Sequence, residues 1–77
     1  MKISSYFIGK WQNRDRQDIQ FDWLESTFHN PDYEEVEENG RIRRWRWIEE
    51  KGRYLRVVVL ADGETVLNSF WDRNFKK

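Results

Sequence analysis

The 77-residue chain carries 14 Lys+Arg against 14 Asp+Glu, no Cys and one His. That length holds a single domain spanning residues 1–77. The missing thiols and lone imidazole exclude a disulfide framework, a thiolate metal site and a His-based zinc centre, so neither a metal nor another cofactor is expected.

Thirteen aromatic residues, five of them Trp, supply the core that a 38% apolar content would otherwise leave thin. Ile3, Phe7, Ile8 and Trp11 recur at helical spacing and predict a helix over about 3–13, weakened by Gly9. Residues 14–18 are polar and read as a loop. A second helix is expected over about 20–29, with Trp23, Leu24, Thr27 and Phe28 on one side and Ile19 stapled against Leu24. Asn30-Pro31 closes it, because the residue before proline avoids the helical region, and His29 suits its last turn.

Beyond Pro31 the apolar period changes from 3.6 to 2. Asn39-Gly40 and Asp62-Gly63 are two-residue hairpin signals, and Glu50-Lys51-Gly52 fits a three-residue loop ending in a left-handed Gly. These turns separate strands at about 33–38, 41–49, 53–61 and 64–72. The expected fold is α+β, with two N-terminal helices packed on one face of a four-stranded antiparallel meander.

Loop length sets register, and register decides which side chains share a face. With the loops above, Glu38 faces Arg41, Val36 faces Arg43 and Glu35 faces Arg44; Trp45 faces Val57, Trp47 faces Leu55, and Arg56 faces Ser69. One face then collects Val36, Trp45, Trp47, Leu55, Val57, Val59, Val66 and Phe70 under the helices. The other collects Arg44, Arg46, Tyr54, Arg56, Ser69, Trp71 and Arg73, with Tyr33, Glu35 and Glu37 at its margin. A four-residue loop at 49–52 would instead set Trp45 and Trp47 beside Arg56, and the cleaner partition favours the shorter loop.

Charge is unevenly spread along the chain. Residues 1–40 hold 4 basic and 9 acidic side chains, whereas residues 41–77 hold 10 and 5. The acidic run Asp32–Glu38 lacks the spacing and glycine of a calcium loop. Arginines interleaved with aromatics on a strand face suit single-stranded RNA, since guanidiniums hold phosphates and rings stack on unpaired bases. Cross-strand pairs such as Glu35–Arg44 and Glu38–Arg41 are the structural alternative for Arg41–Arg46. Arg56, among Leu55, Val57, Val58 and Val59, needs a partner or a ligand. Lys76 and Lys77 form a basic terminal segment. No apolar run approaches the roughly 18 residues of a membrane span, and Met1–Ser5 lacks the apolar stretch of a secretory signal, so a cytoplasmic protein away from membranes is expected.

Five segments in order, Asn30-Pro31-Asp32, Asn39–Arg43, Gly52–Val59, Asp62–Val66 and Phe70–Arg73, resemble a family of small bacterial and cyanobacterial proteins related to the RelE/BrnT-like toxins of type II toxin–antitoxin modules. The resemblance covers residues 30–75 well and the helices loosely. It implies a metal-independent endoribonuclease in which a ribose 2′-hydroxyl attacks the scissile phosphate, with mRNA, including mRNA on the ribosome, as substrate and a cognate antitoxin as partner. Arg56 and Arg46 would hold the phosphate, Arg73 would assist, and Tyr54 or Trp71 would stack on a base, with Arg44 and Lys76 adding RNA contacts. Relatives often carry His where this chain has Tyr6 and Leu67, so Glu35, or an arginine paired with Tyr, would have to act as the base. A relative without catalysis would use the same basic face to bind RNA or an acidic protein.

Overall fold

Ser4 starts the first helix: its backbone is extended, and its Oγ accepts from the Phe7 N–H at 3.0 Å. The same hydroxyl donates to the Leu67 carbonyl at 2.9 Å and ties the cap to a distant strand. In the computed structural model, which describes residues 1–76, the elements run β1 (Lys2–Ile3), α1 (Ser5–Trp11), α2 (Phe21–His29), β2 (Tyr33–Val36), β3 (Ile42–Ile48), β4 (Arg53–Val59) and β5 (Thr65–Trp71). Lys77 lies outside the described residues.

The architecture is α+β with both helices on one sheet face, as expected, but the sheet is five-stranded and mixed. Its order is β1-β5-β4-β3-β2, with β1 parallel to β5 and the other pairings antiparallel. The added strand, Lys2–Ile3, takes Ile3 out of the helix expected over 3–13, which instead runs Ser5–Trp11. Two residues are too few for a period, so only the Lys2 N–H to Glu64 carbonyl and Ser4 N–H to Val66 carbonyl bonds (2.8 and 2.9 Å) reveal it. Phe7, Leu24 and Phe28 pack on Ile48, Leu55, Val57, Val59 and Val66, and Ile19 joins Leu24 in this core. Among the described residues, no helix is long and apolar enough to cross a membrane.

All three hairpins depart from the expected register. Asn39-Gly40 is not a two-residue turn, because only Gly40 takes positive φ (88°). The loop is Glu38-Asn39-Gly40, closed by the Gly40 N–H on the Glu37 carbonyl and the Glu37 N–H on the Arg41 carbonyl. Glu35 therefore faces Arg43 and Glu34 faces Arg44. The β3–β4 loop has four residues, Glu49 to Gly52, with Ile48 opposite Arg53 and Trp45 opposite Arg56. Val59 does face Val66, but Leu67 is an extra, bulged residue, so Arg56 faces Phe70 and Leu55 faces Trp71.

The faces are accordingly exchanged for part of the sheet. Arg44, Arg46, Ser69 and Trp71 share the helix-covered side with Leu55 and Val57, while Trp45, Trp47 and Phe70 lie on the open side with Tyr54 and Arg56. The four-residue loop at 49–52 is the one present, and it sets Trp45 and Trp47 on the face of Arg56. Arginines belong under the helices because α2 leaves carbonyls there without intrahelical partners. Arg44 donates from Nη1 to the Phe28 carbonyl at 2.8 Å and from Nε to Glu34 at 2.8 Å, with its guanidinium 4.9 Å from the Phe28 ring centre. Arg46 donates to the Asn30 carbonyl at 2.6 Å. His29 is the last residue of α2, exposed and edge-on to Phe28.

Candidate nucleic-acid interface

The helix-free face is built from the outward positions of β2 to β5 and from the chain after β5, which folds back over it. Phe75 stacks on Trp45 with centroids 4.4 Å apart and planes 17° apart, and it also meets Tyr33 and Tyr54 at 5.4 and 5.0 Å. Tyr54 lies edge-on to Trp47 at 5.1 Å. Trp45 is buried beneath this cover, whereas Trp47, on the same strand, keeps 42% of its surface exposed. Its indole N–H donates to Glu49 at 2.7 Å, which fixes the ring without covering its faces.

Beside the aromatic group lies a charged hollow that holds Glu35, Arg43, Arg56 and Asp72, with Lys76 at its rim. Arg56 sits between the Trp45 and Phe70 rings (5.5 and 5.2 Å to the centroids), and its Nη1 is 3.6 Å from Asp72. Asp72 also accepts from the Trp45 indole at 2.9 Å. The Arg56 Nε is buried and has no hydrogen-bond partner among the described residues. Arg43 bridges Glu37 at 2.9 Å and Glu35 at 3.1 Å. Its hydrogen bond holds the Glu37 carboxyl below the usual carboxylate range and raises the guanidinium in turn.

Of the residues expected to act on RNA, Arg56, Glu35, Tyr54 and Lys76 share this face. Arg46 and Arg44 do not: they are on the helix side, bonded to backbone carbonyls at the end of α2. Trp71 does not either. It donates to Asp18 at 2.9 Å, meets Trp23 edge-on at 5.9 Å and packs on the core, so both ends of its indole are engaged. Tyr6 is exposed on α1, with Lys10 5.5 Å over its ring, and Leu67 is the bulged residue of β5.

Arg73 lies at the end of the sheet, where two hollows meet. Both are bordered by Arg53 and Arg73; one continues to Trp47, Tyr54 and Phe75, the other to Arg14, Arg16 and Trp71. Sequence reasoning missed Arg53, Arg14 and Arg16. Arg53 looked like an ordinary first strand residue, and Arg14 and Arg16 looked like a solvated loop until that loop docked on β5. The docking is visible in Arg16, whose Nε donates to the Ser69 carbonyl at 3.1 Å on the uncovered edge of β5. Nothing among the described residues forms a cluster able to hold a metal ion. No family model, curated protein or solved structure matches this chain.

Proposed function

We propose that the protein binds single-stranded RNA at the end of the sheet, with Trp47 and Tyr54 on the helix-free face as the stacking platform and Arg73 and Arg53, the latter turned to the helix side opposite Ile48, contacting the backbone. The observation that carries this reading is the exposed Trp47 ring beside Tyr54, at the lip of a hollow bordered by those two arginines. A stacked base gains energy from an aromatic face whatever its identity, and arginines follow the phosphates. Direct titration of a fluorescein-labelled single-stranded RNA tests it: binding must weaken with Trp47→Ala and Tyr54→Ala but not with Tyr6→Ala on the far side. Equal affinities for all three variants would reject the assignment.

A second reading, the RelE/BrnT-like ribonuclease toxin restrained by an antitoxin, draws support from one further observation. Arg56, with its unpartnered Nε, shares a hollow with Glu35. In that reading Arg56 stabilises the charge that develops on the phosphate and Glu35, released from Arg43, takes the 2′-hydroxyl proton. Gel analysis of the same RNA decides between the two. Cleavage abolished by Arg56→Ala establishes the nuclease, while intact RNA in a stable complex establishes binding alone. Both readings put the protein with RNA in the cytoplasm.

A further inference from the structure

Three arginines at the end of the sheet, Arg14, Arg53 and Arg73, border one hollow of about 320 Å³, and their guanidiniums have neither an ion pair nor a hydrogen bond among the described residues. The two acids that line this hollow are already engaged, and Asp72, which borders the neighbouring hollow with Arg53 and Arg73, accepts from the Trp45 indole and lies 3.6 Å from Arg56. Asp15 lies 3.8 Å from Arg16, and Asp18 accepts from Lys51 at 2.8 Å and from the Trp71 indole at 2.9 Å. Burial pushes the Asp18 carboxyl up, but those two donors and the Lys51 charge together hold it below its ordinary value. It stays ionised and committed to Lys51, leaving the three guanidiniums without a counter-charge.

We infer that this hollow binds a terminal phosphomonoester, the phosphorylated end of the strand whose bases stack on Trp47 and Tyr54; the inference rests on the RNA-binding reading above. Charge favours the terminal group. A phosphomonoester carries about −1.5 to −2 at pH 7, against a single charge for each internal diester, and offers three oxygens to guanidinium donors. Position favours it too. Arg53 and Arg73 border both hollows, so a phosphate held between them lies next to a base on the aromatic platform. Beyond them the loop at 14–18 lines the far side of the hollow, with Arg16 anchored to the Ser69 carbonyl, and brings Arg14 to it.

The test compares one labelled single-stranded RNA in three forms: 5′-phosphate, 3′-phosphate, and hydroxyl at both ends. One phosphorylated form is expected to bind about tenfold more tightly than the hydroxyl form, with the difference shrinking as salt is raised. Arg14→Ala, an exposed loop change that borders this hollow and not the one with Trp47 and Tyr54, is expected to bring the affinity for that form down to the hydroxyl value. A 5′-mononucleotide competing as well as the phosphorylated strand assigns the site to free nucleotides, whereas competition by the strand alone assigns it to RNA ends; either sustains the phosphomonoester. Equal affinity for all three forms overturns the inference while leaving RNA binding intact, and no binding of any form overturns both.

Discussion

Phe75 covers Trp45 ring on ring, 4.4 Å between centroids and 17° between planes. This contact explains how an indole on the helix-free side of the sheet is nevertheless buried. The sheet thus carries two apolar layers of unequal origin. Helices close the first over Leu55, Val57 and Val59, and Phe75 closes the second over Trp45, tilted against Tyr33 and edge-on to Tyr54.

If the tail supplies that second layer, removing its ring should uncover Trp45 with little effect on the first. Phe75→Ala is expected to cost more than the roughly 1 kcal/mol of one aromatic pair, because the burial of Trp45 is lost with it. Acrylamide quenching of tryptophan emission should rise at the same time. A variant with unchanged quenching would show that the stack does not shield Trp45 in solution.

Arg44 is the clearest case of a residue whose role changed with the register. Its two bonds join the Phe28 carbonyl to Glu34, so Arg44→Ala should leave that carbonyl without a donor and cost about 2 kcal/mol. Lysine should recover only part of this, because one ammonium cannot reproduce the two-sided fork. RNA affinity should be unchanged in both. Urea unfolding and RNA titration together check the pair, and a loss of affinity without a loss of stability would return Arg44 to the interface.

The helices and strands were legible because their periods are long and clean: Phe7, Leu24 and Phe28 on one side, then Leu55, Val57 and Val59 in alternation. Turn positions were legible from Gly40, Gly52 and Gly63, each of which takes positive φ. Loop length was not. A glycine in the left-handed region ends a three-residue and a four-residue loop equally well, so Gly52 could not say whether Trp45 or Arg44 would face the helices. The deciding physics is non-local: the unsatisfied carbonyls at the end of α2 draw the arginines, and Phe75, thirty residues away, covers the tryptophan. Arg56 and Tyr54 lie on the open face as expected, because the apolar alternation of β4 itself, Leu55, Val57 and Val59, fixes its two faces whatever the loop length. Arg14 and Arg53 had no local signal at all.

Trp47 offers the most direct reading of the open face. Truncation to Ala removes an exposed ring, so stability should move by less than about 1 kcal/mol, while RNA binding should weaken by about 1–3 kcal/mol, the range for one stacked base. Fluorescence anisotropy measures the second quantity and thermal unfolding the first. The signature is the split between them; equal losses would identify Trp47 as part of the fold and not of the interface.

Asp62 shapes the acid limb of the stability profile. Hydrogen bonds from the Thr65 hydroxyl, at 2.6 Å, and from the Glu64 and Thr65 N–H groups lower its carboxyl from 3.8 to about 2. The unfolded chain therefore binds this proton more readily than the folded one. Stability from the turn is fully present above about pH 4 and is lost as pH falls through about 2. Comparison with Asp62→Ala isolates this group from the other carboxylates: the gap in Tm between the two proteins should stay level from pH 7 to 5 and close between pH 4 and 2. Thr65→Val, which deletes only the hydroxyl donor, should close its smaller gap over the same interval. A gap that persists unchanged at pH 2 would mean that the ionised carboxylate is not what holds the β4–β5 turn.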